Sequence, residues 1–187
     1  MAWITLSEIA GMILLTFILG FLFSGMIPRP ERSELILKKK WFSFEDIKYA
    51  ALIAAPAVLF HELGHKFIGL LFGLTAVFKV FWFGLGIGLV LRLINSPFLI
   101  LAPAYVELSG TITPLSGFFT AFAGPFINLL LFFIAFLVLR YKKHLSFRQA
   151  SFLAITKKIN LVLFIFNMIP FPPLDGSKVF YYLFQIL

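Results

Sequence analysis

Two histidines and a glutamate lie within five consecutive residues, His61 to His65, inside a long apolar stretch. Residues four apart lie on one face of an α-helix, so the two imidazoles could bind the same metal ion. Glu62 could accept a proton from a water bound to that metal. A short pattern can arise by chance, but burying these three side chains in an apolar helix is costly. The pattern therefore predicts a metal site.

A catalytic zinc site usually has three protein ligands and one position open to water. The candidates for the third ligand downstream are Glu107, His144 and Asp175. His144 lies in a basic loop and is expected to be solvated, and Glu107 precedes a Ser-Gly turn and is expected on a strand. Three prolines before Asp175 force an extended path, and Gly176 permits a sharp turn back toward the membrane interior. An ordinary Asp-Gly turn is the alternative for Asp175, and Glu107 is the reserve ligand.

Two asparagines lie in otherwise apolar segments. Asn128 follows Gly124 by four residues, and Asn167 lies near the end of an apolar run. Amides in a bilayer helix usually hydrogen-bond to another helix. The alternative is a donor to the oxyanion that forms when water attacks a peptide carbonyl, and the residues alone favour neither interpretation. Gly124 is expected to allow close approach of two helices.

The composition indicates a membrane protein. Hydrophobic residues make up 61% of the 187 residues and charged residues only 13%, about half the usual share. The formal net charge is +8. The Lys and Arg residues flank the apolar runs, as they do in loops that face anionic lipid headgroups. Nucleic-acid binding is therefore not expected. The absence of Cys excludes disulfides and thiolate ligands.

The apolar runs predict membrane helices over residues 8–27, 47–72, 115–139 and 152–170, and a short closing helix over 177–187. The first is interpreted as a retained helix and not a signal peptide, because no basic segment precedes it and its apolar run is too long. Pro28 and Pro30 should end it. Ser43 should cap the second helix, Pro56 should kink it one turn before His61, and Gly73 should end it.

Residues 75–83 and 104–113 are rich in β-branched and aromatic residues and predict short strands. The apolar segment 84–94 is too short to span a bilayer alone, and its three glycines weaken a helix. For residues 75–113 as a whole, a re-entrant hairpin or sheet is expected, with a short helix pair as the alternative. The predicted fold class is an all-α polytopic membrane protein with about four to six transmembrane helices and a small membrane-associated β element or re-entrant segment. A single domain, 1–187, has its core at 47–178.

Three motifs, in this order, resemble those of the site-2 proteases, a family of intramembrane zinc metalloproteases. They are the HExxH helix at His61 to His65, a GxxxN helix at Gly124 and Asn128, and an NxxPxxxxDG signature at Asn167, Pro170, Asp175 and Gly176. The resemblance covers most of residues 47–178. In that family the region equivalent to 75–113 often holds a membrane-embedded sheet, and some members carry soluble PDZ or CBS domains that have no counterpart in this sequence.

The resemblance implies one Zn²⁺ per chain, held by His61, His65 and Asp175. It implies Glu62 as general base and later proton donor, and Asn128 as a residue that orients the substrate or stabilises the oxyanion. The implied partners are a transmembrane protein substrate and the lipid bilayer, and the implied location is the cell membrane, as an integral multi-pass protein. No pattern indicates an oligomeric state.

Three other functions compete with this interpretation. A zinc-binding pseudoprotease would bind transmembrane helices without cleaving them. A zinc carrier or channel would need metal ligands along both halves of a pathway, whereas the ionisable residues converge on one site. A membrane protease of the prenyl-protein type takes its third ligand from a later Glu on a helix, for which Glu107 is poorly placed.

The orientation in the membrane has two opposed indications. The basic segments 29–48 and 140–148 lie at the helix ends opposite the motifs, so the positive-inside rule places the motifs toward the outside. Members of the resembled family usually place the zinc site toward the cytosol.

Overall fold

The computed structural model describes residues 3–27, 43–94, 96 and 103–187. Six helices and two strands are found in this part of the chain. In chain order they are α1 (Leu6–Phe23), α2 (Phe44–Leu71), β1 (Thr75–Val80), α3 (Trp82–Leu93), β2 (Ala104–Ser109), α4 (Pro114–Tyr141), α5 (Phe147–Asn167) and α6 (Asp175–Ile186). The predicted fold class, a helical polytopic chain with a small β element, is confirmed.

Four helices in the described ranges are long and apolar enough to cross a membrane: α1, α2, α4 and α5. They coincide with the four predicted spans, and the largest difference in a starting point is at α5. This helix begins at Phe147 and not at Phe152, because Ser146 and Gln149 form a reciprocal capping box ahead of the apolar run. Residues 28–42, with the predicted stops at Pro28 and Pro30, lie outside the described residues.

The local signals at the two ends of α2 act as predicted. Ser43 caps the helix, its hydroxyl accepting a hydrogen bond from the backbone N–H of Asp46 at 3.4 Å. Gly73 follows the last turn with φ of +75°, a conformation that a glycine adopts without strain and that stops the helix. Pro56 lies inside α2, and the kink expected there stays a prediction.

The two strands form an antiparallel sheet in which Thr75 pairs with Ser109 and Val80 with Ala104. The expected small sheet is therefore confirmed, whereas the apolar segment 84–94, whose glycines weaken a helix, lies in α3, one continuous helix from Trp82 to Leu93. Gly84 and Gly88 are buried and four residues apart, so they share the inward face of α3. Burial of this face outweighs the low helix propensity of glycine.

Two apolar clusters hold the elements together. In one, Leu15, Leu19 and Leu22 of α1 pack on Ala55 and on residues of the sheet and α3. In the other, Tyr49, Ala50 and Ile53 of α2 pack against Phe152 and other residues of α5. Because α2 takes part in both clusters, it is the central helix, and the HExxH motif lies on it.

Candidate metal centre

Three ligand atoms converge between α2 and the start of α6. His61 Nε2 lies 3.0 Å from Asp175 Oδ2, and His65 Nε2 lies 3.2 Å from the same oxygen. The two Nε2 atoms are 3.1 Å apart. Ligand atoms about 2.0–2.1 Å from a tetrahedral zinc ion are about 3.3 Å from each other. The structure thus brings the three proposed ligands to a spacing that suits zinc.

The outer nitrogens of both imidazoles face carbonyl oxygens. His61 Nδ1 lies 2.6 Å from Asn128 Oδ1, and His65 Nδ1 lies 2.7 Å from the backbone oxygen of Thr120. Carbonyl oxygens only accept hydrogen bonds, so both Nδ1 atoms donate. The Nε2 atoms, which face the Asp175 carboxylate, are then the positions at which the rings could bind either a proton or a metal ion. Three such atoms at this spacing repel each other unless a proton or a metal cation lies among them.

The backbone of α4 leaves room beside these atoms. A Cβ added to Gly124 would lie 2.7 Å from His61 Nε2 and closer still to His65 Nε2. A side chain at this position would therefore occupy the space that a shared ion needs. The sequence had assigned Gly124 to close helix packing, and the site gives it a more specific reason. The donor set and this open space both fit a zinc ion.

Asp175 is the first residue of α6, so the closing helix begins two residues before its predicted start at Ser177 and includes Gly176, where a sharp turn was expected. A negative side chain is favourable at a helix N-terminus. The next residue, Gly176, lies so close to the end of α5 that a Cβ would be 2.5 Å from the carbonyl of Met168. Burial alone would raise the pKa of Asp175, but the adjacent His65 and His61 rings hold its pKa well below its usual range. The carboxylate is therefore ionised, as a metal ligand must be.

Glu62 lies beside the three proposed ligands on a cavity of about 790 Å³. Its side chain is buried, and it makes no hydrogen bond within the described part of the chain. Its carboxylate is thus free to bind a water or a peptide in the cavity. The remaining walls come from β2, α4, the end of α5 and the start of α6.

Asn128 is fully buried and faces His61. Its amide donates one hydrogen bond to the backbone oxygen of Ala57 and one to Asn160 Oδ1, each at 2.9 Å. Both amide hydrogens have protein partners in this structure, so the geometry favours a role in positioning His61, and the expected contact with an oxyanion stays a prediction. Sequence reasoning missed Asn160, although an amide in an apolar helix was an available signal.

Three other predicted candidates lie apart from the ligand atoms. Glu107 is half exposed and pairs with Lys79 across the sheet, where its carboxylate raises the pKa of the lysine. His144 is exposed in the basic loop between α4 and α5, at the far end of both helices. Asn167 lines the cavity and donates a hydrogen bond to the backbone oxygen of Leu163 at 3.0 Å.

No protein-family model matches the chain. Curated proteins similar to it in sequence carry the name "Putative zinc metalloprotease". One from Methanocaldococcus jannaschii is 34% identical over 125 residues, which are 65% of this chain and 63% of that protein. One from Bacillus subtilis is 41% identical over 73 residues, 35% of this chain and 33% of that protein. One from Synechocystis sp. is 32% identical over 130 residues, 69% of this chain and 29% of that protein.

The chain thus spans less than two thirds of the length of these relatives. Their names support a zinc metalloprotease family and zinc as the metal, and they do not favour a pseudoprotease.

Proposed function

We propose that this chain is a zinc-dependent intramembrane endopeptidase that hydrolyses peptide bonds of membrane-spanning proteins. The observation that carries the proposal is the convergence of His61, His65 and Asp175 beside Glu62, on a cavity large enough for a peptide segment. Similarity to proteins named as zinc metalloproteases supports the reaction class.

The position of the motif along α2 supports chemistry within the apolar layer. His65 and His61 precede the last residue of α2, Leu71, by about two and three turns respectively, roughly 9 and 15 Å along the axis. The helix is one of the four that are long and apolar enough to cross a membrane. A substrate helix would therefore have to unwind near this depth to present an extended peptide bond.

Each residue of the site would have a distinct role in the hydrolysis. Zinc, when bound by His61, His65 and Asp175, would polarise the scissile carbonyl and lower the pKa of the attacking water. Glu62 accepts the proton of that water and later donates it to the leaving amine. Asn128 and the Thr120 carbonyl hold the two imidazoles in orientation through their Nδ1 atoms.

One edge of β2 pairs with no strand in the described part of the chain, and this edge could hold an extended substrate. The N–H of Phe78 in β1 is donated to a side chain of α1, so it points away from β2. In an antiparallel sheet, two residues directly opposite each other point their backbone N–H and C=O groups either both toward the partner strand or both away from it. Val106, the partner of Phe78, therefore directs its backbone groups outward, on the strand that lines the cavity. A substrate strand could add to this edge.

The proposal is tested by measuring zinc content and cleavage of a model membrane-spanning substrate together. One zinc per chain is expected for the wild type, for Glu62→Gln and for the control Glu107→Gln. Cleavage is expected from the wild type and the control only. Cleavage by Glu62→Gln at the wild-type rate would rule out Glu62 as the base. A metal-replete wild type without zinc would overturn the proposal.

A further inference from the structure

A buried ion pair outside the metal centre joins α1 to α2. Lys66 Nζ lies 2.7 Å from Glu8 Oε1, and each side chain is only 3% exposed. Lys66 directly follows the proposed ligand His65, and Glu8 lies in the first turn of α1. The hydrolytic steps described above use neither residue.

The same two side chains hydrogen-bond to the backbone of β1. Glu8 Oε1 accepts from the N–H of Phe78 at 2.7 Å, and Lys66 Nζ donates to the carbonyl oxygen of Ala76 at 2.5 Å. The other carboxylate oxygen, Oε2, accepts from the backbone N–H of Thr5 at 2.8 Å and from its hydroxyl at 3.0 Å. Both oxygens of Glu8 and the Lys66 ammonium are therefore engaged, and one donor and one acceptor of the β1 edge are satisfied.

Because of these contacts, the outer edge of β1 is hydrogen-bonded to side chains, whereas the outer edge of β2 is not, within the residues that the structure describes. The inner edge of β1 pairs with β2, and its outer edge is closed by Glu8 and Lys66. The outer edge of β2 borders the large cavity. Beside the pair itself, a smaller cavity of about 180 Å³ reaches Thr75, Ala76 and Val77 of β1. The first turns of α1 lie along this edge, where a Cβ at Gly11 would be 3.3 Å from Val80. Without the pair that ties α1 and α2 to β1, the outer backbone groups of Ala76 and Phe78 would lose their partners.

Stability alone gives a weak reason for this pair. Replacing a buried ion pair with apolar residues of similar volume is often neutral or stabilising. Apolar side chains would, however, leave the outer backbone groups of β1 without partners, where they could pair with another strand. The charges are therefore best explained by what they do to the strand edge.

We propose that Glu8 and Lys66 are a positioning pair that closes the outer edge of β1 and ties the sheet to the metal-binding helix, so that an extended peptide pairs only with β2. The identity of the peptide as a substrate rests on the proposed function. The closed edge of β1 and its attachment to α2 are independent of the proposed function.

Cross-linking tests which edge takes the peptide, and the absence of Cys from the chain makes single-cysteine variants free of background. Val77 of β1 and Tyr105 of β2 are matched reporters, because they are 38% and 44% exposed and line the small and the large cavity respectively. A model membrane-spanning substrate with one cysteine is added in the non-cleaving Glu62→Gln background. Cross-links are expected with Tyr105→Cys and not with Val77→Cys.

The pair is then replaced by Glu8→Leu together with Lys66→Met, which leaves no unpaired buried charge. Cross-links to Val77→Cys are expected to appear, at a yield comparable to those of Tyr105→Cys, while zinc content stays at one per chain. Efficient cross-linking to Val77→Cys with the pair intact would overturn the proposal. An unchanged pattern in the double variant would overturn it as well.

Hydrogen exchange without substrate separates this proposal from the proposed function. The amide of Phe78 is expected to be protected in the wild type, to lose protection at least tenfold in the double variant, and to keep it in the control Lys79→Met. Protection of Phe78 that survives the double substitution would overturn the closed edge. If exchange changes as expected while the wild type does not cleave the substrate and Tyr105→Cys forms no cross-link, the closed edge stands and the proposed function fails.

Discussion

Asn128 Oδ1 accepts a hydrogen bond from Nδ1 of His61 at 2.6 Å, and this contact determines which nitrogen of the ring faces the metal centre. The Asn128 amide donates to Ala57 of α2 and to Asn160 of α5. Asn160 in turn donates to the backbone oxygen of Thr156 at 2.9 Å. A chain of hydrogen bonds through three helices therefore fixes the orientation of one proposed ligand.

Asn128→Ala is expected to weaken zinc binding by about 10-fold to 100-fold, the usual effect of losing a residue that orients a metal ligand. The imidazole would keep its Nδ1 proton without a buried acceptor and could turn. The measurement is zinc affinity by competition with a chelator. Asn167→Ala is the control, because Asn167 lines the cavity without contacting either histidine, and it should bind zinc normally.

The two possible roles of Asn128 give different results in this experiment. If Asn128→Ala bound zinc with wild-type affinity but no longer cleaved substrate, the oxyanion role would be favoured and the positioning role would be wrong. Loss of affinity together with activity is the result expected from the hydrogen bonds.

Gly124→Ala is expected to abolish zinc binding, because the added methyl group would lie within 2.7 Å of His61 Nε2, in the space between the ligand atoms. Overpacking of this kind also typically lowers the free energy of unfolding by about 1–3 kcal/mol. Zinc content and thermal unfolding of the purified protein measure the two effects.

A matched control is Gly86→Ala in α3, where an added Cβ meets no atom within 4 Å. Alanine favours a helix over glycine by about 1 kcal/mol, so this variant should be as stable as the wild type or more so, with full zinc content. Normal zinc binding by Gly124→Ala would show that the ion does not occupy the space beside α4.

Much of the fold was predictable because its signals are local. Ser43 and Gly73 mark the ends of α2, and long apolar runs mark the spans whether or not their tertiary contacts are known. The pairing of two β-rich segments was also visible in the residue types. Helix α3 was not, because the burial of Gly84 and Gly88 depends on what packs against them.

The candidate site likewise has one part that was predictable from local sequence and one part that was not. The spacing of His61 and His65 was sufficient to predict two converging imidazoles, but Asp175 required the resemblance to known motifs, since its approach depends on the path from α5 to α6. Contacts between distant segments were not predictable. Glu8 and Lys66 are 58 residues apart, and nothing in their local sequence indicates that they meet.

Val106→Pro is expected to slow cleavage without changing zinc content, because proline removes the backbone N–H that faces outward from β2 while the ladder to β1 stays intact. Loss of one hydrogen bond of about 1 kcal/mol corresponds to roughly a fivefold rise in KM. Val106→Ala is the matched control: it shortens the side chain but keeps the N–H, so the difference between the two variants reports on that group alone. Equal KM values for the two variants would show that the substrate does not pair with this edge of β2.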